Sequence, residues 1–513
     1  MFGGVKSGIQ RRKGVVSTVR VQTERRPAPL PSVERARQQT SQKPQQSRDS
    51  SARPSPSSAT ASPGTPATPS SDLTEPSHLR PPKRKAARQL SPNTQPIMSD
   101  SSGDSGDSDI EFGDHKSYKR VRLDHEVDEK RRLRSKHAFS EEDGGRFPMI
   151  HAADLVTESS NSRSATASSE DVIVKLKYPS ASQREKFYLV FGKDKIDSLE
   201  EIVNVARIVR DVYLTSKQAK VFKAPTSGVI RRLVRAQNAI TSSQKKKIDP
   251  SLLQDFKNAV NFYNTTMQGL LDNKTLATNL DNMHHLPLEM VQFILQQVYD
   301  RAVSPSVDLL RNYKPGTDEV YGELLSPFVD KVLVQCELKS DQVFVDLGSG
   351  VGNVVLQAAL EFGCESWGCE MMPNACELAK KQAAEFKARC RLWGLETGKV
   401  RLEEGNFLEN AAIGQVLRRA DVVLVNNEVF TSKTNDALRL LFLDLKDGCH
   451  IISLQSFAVG HERNNDDPAN LIQNINYGVF GDGDVSWTGR GGKYFIATKD
   501  EGHIARMRAA NNR

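Results

Sequence analysis

The sequence predicts an α/β fold: a doubly wound sheet with a terminal antiparallel hairpin, preceded by a mainly helical subdomain and a disordered N-terminal tail. Three observations carry this. Residues 343–353 read Val-Phe-Val-Asp-Leu-Gly-Ser-Gly-Val-Gly-Asn. An apolar strand there ends on an acid, glycines alternate at 348, 350 and 352, and an apolar helix opens, as in the first strand, turn and helix of a nucleotide-binding sheet. A second strand-like run, residues 365–370, ends on another acid, Glu370, where such sheets hold a pair of ribose hydroxyls. Strand and helix patterns then alternate down the chain, the mark of a parallel sheet with crossover helices.

The chain has 513 residues, of which 37% are hydrophobic, and a net charge of +8. Residues 1–169 are rich in Ser, Pro, Thr, Gln and Arg; too little apolar surface is on offer there to offset the entropy of ordering, so this is read as a disordered basic tail. Basic clusters stand at Arg11-Arg12-Lys13, at Lys83-Arg84-Lys85 with Arg88, and at Lys130-Arg131-Arg132 with Arg134 and Lys136, while residues 100–114 are acidic. Such clusters suit nuclear import and contact with phosphates. No run approaches a membrane span, and the first 29 residues lack the apolar core of a signal peptide.

Residues 170–305 are expected to form the helical subdomain. A strand is read over 172–178. Ser198 with Glu201 suggests a capping box before Ile202, Val205, Ala206 and Val209. Asp249-Pro250 is an N-cap followed by proline at the first helical position, opening a helix with Leu252, Leu253, Phe256, Val260 and Tyr263 on one side. Residues 290–298 continue in helix. Lys245-Lys246-Lys247 is read as a solvated loop. His284-His285 is not taken as a metal site, since neighbouring histidines on a helix diverge and no third ligand is evident. The six cysteines all follow Gln335 and form no paired C-x-x-C motif, which argues against structural zinc and for reduced thiols in an intracellular setting.

Residues 306–507 are expected to form the sheet domain, with a long helix over 374–395, strands over 400–402, 421–425 and 450–454, a helix over 436–443, and a closing hairpin of 483–487 with 493–498 around Gly489-Arg490-Gly491-Gly492. This pattern is expected of class I methyltransferases. The glycine spacing supports that: G-x-G-x-G differs from the G-x-G-x-x-G of dinucleotide binders, which leave room for a pyrophosphate. S-adenosylmethionine has no phosphate; its cationic amine favours an acid such as Asp346 at the turn, and its carboxylate favours exposed N–H groups. Three further groups bear on chemistry. Tyr321-Gly322-Glu323-Leu324 precedes the first strand and can fold over a cofactor. Asn406-Phe407 follows the third strand, where an adenine ring is held. Val425-Asn426-Asn427-Glu428-Val429-Phe430 sits at the end of the fourth strand, where substrate meets cofactor.

Together, Tyr-Gly-Glu at Tyr321, Asp-Leu-Gly-Ser-Gly-Val-Gly at Asp346, Val-Asn-Asn at Val425 and Val-Ser-Trp-Thr-Gly at Val485 resemble the disruptor of telomeric silencing family, the non-SET methyltransferases of histone H3 lysine 79, with the long basic tail placed first as in fungal members. The resemblance covers about residues 306–500. It implies a nuclear enzyme that moves methyl groups from S-adenosylmethionine to nucleosomal histone H3, in mono-, di- and trimethylation, with ubiquitylated histone H2B and DNA phosphates as further partners. It implies roles in telomeric silencing, transcription regulation and the DNA damage response. The cofactor site would comprise Tyr321, Gly322, Glu323 and Leu324, the run Phe344, Val345, Asp346, Leu347, Gly348, Ser349, Gly350, Val351, Gly352 and Asn353, then Glu370, Asn406 and Phe407. Asn426 and Tyr321 would be catalytic, and Phe430, Trp487 and Tyr494 would line a lysine channel. No metal is implied. Leu324 and Asn406 depart from the animal pattern, which has a hydroxyl residue and an acid there. A methylase of nucleic-acid amines is a rival reading, but the Asn-Asn-Glu-Val-Phe run lacks the prolines of the Asn-Pro-Pro-Tyr loop.

Overall fold

The computed structural model describes residues 126–140, 146–155, 172–189, 196–243, 248–311, 321–458 and 468–503, with 505, 506 and 509; the first two tail clusters, the acidic stretch and Lys245-Lys246-Lys247 lie outside them. A small antiparallel pair, β1 (Ile173–Leu176) and β2 (Glu185–Tyr188), precedes six helices: α1 (Ser198–Ile208), α2 (Lys220–Lys223), α3 (Val229–Thr241), α4 (Pro250–Asp272), α5 (Thr275–Asp281) and α6 (Leu288–Ala302). The α1 helix is capped by Asp197, whose carboxylate accepts from the N–H groups of Leu199 and Glu200. Ser198 is therefore the first helical residue and not the cap of a capping box; the acid one position earlier meets the orphan donors better than its hydroxyl. Asp249 and Pro250 open α4 as their residue types require.

The main sheet follows: α7 (Ser326–Gln335), β3 (Val343–Leu347), α8 (Asn353–Glu361), β4 (Glu365–Glu370), α9 (Pro373–Trp393), β5 (Val400–Glu404), α10 (Ala411–Leu417), β6 (Val422–Val425), α11 (Ser432–Leu441), β7 (His450–Ser453), β8 (Ile472–Phe480) and β9 (Gly492–Lys499). The strand order is β5-β4-β3-β6-β7-β9-β8. The first five strands run parallel, and β9 enters antiparallel to both β7 and β8. Every residue of β3 and β6 is buried, as expected of parallel strands covered on both faces.

Two expectations at this end are corrected. Residues 483–487 are a loop, joined to the residues before α7 by a single Leu324–Val485 bridge, and the partner of β9 is β8. The edge strand β8 turns Ile475, Tyr477 and Val479 to solvent and is bulged between Asn474 and Asn476, so it lacks the inward apolar alternation that betrays a strand. Helix α11 starts at Ser432, before the predicted 436, because Thr431 caps it by accepting from the N–H of Thr434.

The tail boundary is also corrected. Residues 126–140 form a strap across the back of the sheet domain. Three residues of its basic cluster are tied down: Arg131 is buried and donates to the carbonyls of Leu360 (2.8 Å) and Glu396 (3.2 Å), Lys130 pairs with Asp341 and Arg134 with Asp281, both at 2.7 Å. Glu396 N donates to Leu133 O at 2.8 Å, and His284 Nδ1 bonds Arg131 O at 2.8 Å, so that histidine braces the strap. Nor does packing divide at 305. One hydrophobic core runs from Leu133 through the helices to Leu356, Leu360, Phe386 and Trp393.

Within that core sits a closed ionic network. Glu185 of β2 binds both Arg301 of α6 and Arg389 of α9; Glu201 completes Arg301, Glu385 completes Arg389, and the Tyr178 hydroxyl donates to Glu185 at 2.8 Å. Burial opposes the Glu185 charge, but the two guanidiniums hold its carboxyl well below the usual range. Its stabilising contribution is therefore present above the unfolded carboxyl pKa and is lost as pH falls below it. Glu185→Gln leaves two buried guanidiniums short of charge, and urea unfolding at pH 7 is expected to show a loss of about 3–5 kcal/mol, with the difference from the parent shrinking toward pH 3.

Candidate active site

A cavity of about 530 Å³ opens at the carboxyl ends of β3, β4 and β6. The backbone reaches it through three left-handed glycines, with φ of 89° at Gly348, 54° at Gly350 and 89° at Gly352, a region closed to most side chains. A Cβ at Gly350 would stand 2.9 Å from the Tyr321 ring, so the turn and the preceding loop pack face to face. Beyond the turn α8 begins, and its first residues, Asn353 and Val354, line the same space.

Carboxylates surround this cavity. Asp346 is paired in register with Gly368 on one side and Leu424 on the other, and is 3% exposed. No described residue donates a hydrogen bond to it; burial, with the nearby charge of Glu370, pushes its carboxyl up to about 8. Glu370 is held by three backbone donors: Gly350 N at 2.9 Å, Met371 N at 2.9 Å and Met372 N at 2.8 Å. Glu323 accepts from the Tyr321 hydroxyl at 2.5 Å and from that of Tyr299 at 3.5 Å. Burial raises its carboxyl too, opposed by the hydroxyls and by Asn353. Glu428 stands at the rim. Among the described residues lining the cavity there is no Lys, Arg or His.

The loop that carries Tyr321 and Glu323 is sewn to the loop that carries Trp487. Glu323 N donates to Ser486 Oγ and Ser486 N to Glu323 O, each at 2.9 Å, and Leu325 N donates to Asp484 O at 2.9 Å. Gly322 is needed at this seam, since a Cβ would lie 2.8 Å from the indole of Trp487. Asn426, just past β6, donates to Gly322 O at 3.2 Å. Asn427 turns the other way, wholly buried: its amide donates to Asn435 Oδ1 and Gln455 O, and its Oδ1 accepts from Leu454 N and Gln455 N. Phe407 and Phe430 stack with centroids 6.1 Å apart at 25°, making a flat apolar wall.

The cavity thus brings together Tyr321, Gly322, Glu323, Leu324, Asp346, Gly348, Ser349, Gly350, Asn353, Glu370, Asn406, Phe407, Asn426, Phe430 and Trp487. Phe344, Val345, Leu347, Val351 and Gly352 do not line it; the strand residues and Val351 fill the cores behind, and Gly352 packs on Leu402. Tyr494 is corrected as a channel residue: it is buried against Phe328, and its hydroxyl donates to Gln335 at 3.0 Å. It faces the α7 side of the sheet, because its register on β9 points it away from the cavity. Asn406 Oδ1 already accepts from Leu408 N at 3.0 Å, so part of its capacity serves its own turn. Met371 and Met372 were missed, though an apolar pair directly after the ribose acid is a signal for a ring pocket.

A cavity ringed by carboxylates, with no cation among its described lining residues, suits a positively charged ligand with an aromatic end better than a phosphate. The sheet order and this site are those of a class I methyltransferase. The family described as histone methylation protein DOT1 matches residues 299–499. A Gibberella zeae protein called histone-lysine N-methyltransferase, H3 lysine-79 specific, is 50% identical over 73% of this chain and 74% of its own. One of the same name from Aspergillus fumigatus is 45% identical over 79% of this chain and 80% of its own. The chain belongs to the DOT1 family. An RNA methyltransferase from Salinibacter ruber, solved with S-adenosyl-L-homocysteine, covers 35% of this chain and 94% of its own at 22% identity and a TM-score of 0.25; the strand order itself states the fold better than so distant a likeness.

Asn427 fixes the peptide that carries Asn426. Asn427→Ala is expected to lower the unfolding free energy by about 2–4 kcal/mol, since its partners stay buried without a mate; Asn427→Asp keeps the two acceptor contacts but sets a buried carboxylate oxygen against the acceptors Asn435 Oδ1 and Gln455 O, so it should cost at least as much in the same denaturant titration.

Proposed function

We propose that this protein is a nuclear enzyme that binds S-adenosylmethionine in the acid-ringed cavity and methylates lysine 79 of histone H3 in nucleosomes. The observation that carries the reading is the buried Asp346, a carboxylate to which no described residue donates a hydrogen bond, beside a left-handed glycine turn. An ammonium group there meets an unspent acceptor, and a phosphate oxygen set against the same carboxylate would meet repulsion. The names of the fungal relatives supply the histone lysine. Stepwise mono-, di- and trimethylation, stimulation by ubiquitylated histone H2B, tail contacts to DNA, and roles in telomeric silencing, transcription regulation and the DNA damage response belong to the same reading.

The residues fit the cofactor part by part. Asp346 takes the amine, Glu370 the ribose hydroxyls, and Phe407, beside Met371 and Met372, the adenine ring. Tyr321 and Glu323 hold the methionine end. When bound, S-adenosylmethionine supplies an electrophilic methyl group on a sulfonium. Trp487 and Phe430 strip water from the incoming lysine ammonium, which lowers its pKa and favours the neutral amine. Asn426 positions that nitrogen, and alignment is the larger contribution because a neutral amine is already a strong nucleophile. The proton leaves to water.

Incubation of the protein with labelled S-adenosylmethionine and, in parallel, nucleosomes, free histones and naked DNA is expected to label nucleosomal histone H3 alone; label on DNA would overturn the assignment. In calorimetry, Asp346→Asn should weaken cofactor binding about ten- to a hundredfold, the worth of a hydrogen bond to a charged group. The pH profile carries the sign. With its folded pKa raised to about 8, Asp346 ionises as pH climbs, so the apo fold loses stability from about pH 4 to 8 while affinity for an ammonium rises. Above about pH 8 the ligand's own α-amine discharges. Affinity should therefore peak near pH 8, and the variant should lose the acid limb. Asn426→Ala should cut the single-turnover rate up to about a hundredfold, as misalignment does, with little change in cofactor affinity; equal losses in both would contradict its role.

A further inference from the structure

Between Asp211 and Asp249 the chain carries nine basic residues and no acid. Six of the nine lie among the described residues, and all six are exposed: Lys217, Lys220 and Lys223 around α2, and Arg231, Arg232 and Arg235 on α3. The apolar stripe of α3 (Val229, Leu233, Ala236 and Ile240) is turned inward, so its arginines share the outer face. Arg232 is held in place, its guanidinium 4.4 Å over the Phe262 ring and its Nε bonded to Ser227 O at 2.9 Å. Arginines fixed in this way lose little entropy on meeting an anion.

No described acid pairs with Lys217, Lys220, Lys223 or Arg235 on this face. Asp211 pairs with Arg210, and Asp249 caps α4. Of the helices packed on α3, α1 offers Glu200, already bonded to Arg207 and Gln237, and α4 offers Asp255, which forms no ion pair with the lysines around α2 or with Arg235. The face also has no exposed aromatic side chain, and Val221 is its one exposed large hydrophobic. A single-stranded nucleic acid is gripped by stacking on aromatic rings, and a protein partner wants an apolar centre. A face of fixed and mobile cations with neither suits the sugar-phosphate backbone of a duplex.

The geometry points to α2 and the outer side of α3 as a duplex-DNA binding face, separate from the N-terminal tail and from the methyl-transfer cavity. It binds phosphates without reading sequence. The test uses the full-length chain, without cofactor, and a 30-base-pair duplex of random sequence, followed by fluorescence anisotropy across a salt series. The triple variant Lys220→Glu, Lys223→Glu, Arg235→Glu is expected to bind at least tenfold more weakly, with a log–log salt slope shallower by about 2 to 3, at roughly 0.9 for each phosphate no longer neutralised. A control with the same sign of change elsewhere, Arg418→Glu with Lys387→Glu, should leave affinity within about twofold, since nonlocal surface charge is screened beyond a Debye length. An unchanged slope in the triple variant, or an equal loss in the control, overturns the proposal. So does competition by poly-glutamate that matches duplex DNA charge for charge, which would make the face a protein-binding one. If the triple variant melts early, the corresponding glutamine substitutions give the same readout at smaller amplitude. Because no methyl transfer is measured, failure here leaves the proposed function untouched, and failure of that function leaves this face standing.

Discussion

Everything else in the fold is arranged around carboxylates gathered about a space whose described lining contributes no cation to answer them. Asp346 and Glu323 are both deeply buried, and each is pushed toward its neutral form. Burying such groups costs several kcal/mol apiece unless something answers their charge. The architecture around them serves to hold that unfavourable arrangement open. Strand β3 ends on Asp346, three backbone N–H groups clamp Glu370, and the seam between Glu323 and Ser486 stops the covering loop from drifting away. Strain of this kind is kept where a ligand relieves it.

The network on Glu185 is the opposite case in the same molecule. It too buries carboxylates, but two guanidiniums, a phenol and an amide close every bond within the protein. Nothing is left to bind, so it acts as a fastener between β2, α6 and α9. Comparing the two shows why burial alone does not mark a site. What marks one is a buried charge that has no partner and has room beside it.

Much of this could be seen in the residues alone, and the reasons are local. Gly348, Gly350 and Gly352 announce themselves because only glycine tolerates those dihedrals, and Asp346 and Glu370 because strand ends in such sheets face the ligand. Asp249 and Pro250 give away a helix start by type. The failures are equally physical. Strand β8 exposes Ile475, Tyr477 and Val479, so no buried alternation betrays it. Tyr494 looked like a channel wall because aromatic residues suit one; only the register on β9 sends it into the core. Arg131 sat in a charge run that ordinarily stays in water, and no local pattern reveals that Leu360 and Glu396 turn their carbonyls toward it.

That strap also decides where the enzyme can be shortened. Composition would place the cut near residue 170, but an excised fragment starting there would lose Arg131 and Leu133, baring two carbonyls and a groove along α8 and residues 394–396. It would further lose the backbone contact of Ile150 to Glu385, which helps align Arg389. A minimal catalytic piece therefore begins no later than about residue 126, and a fragment that fails to express when trimmed further says nothing against its chemistry.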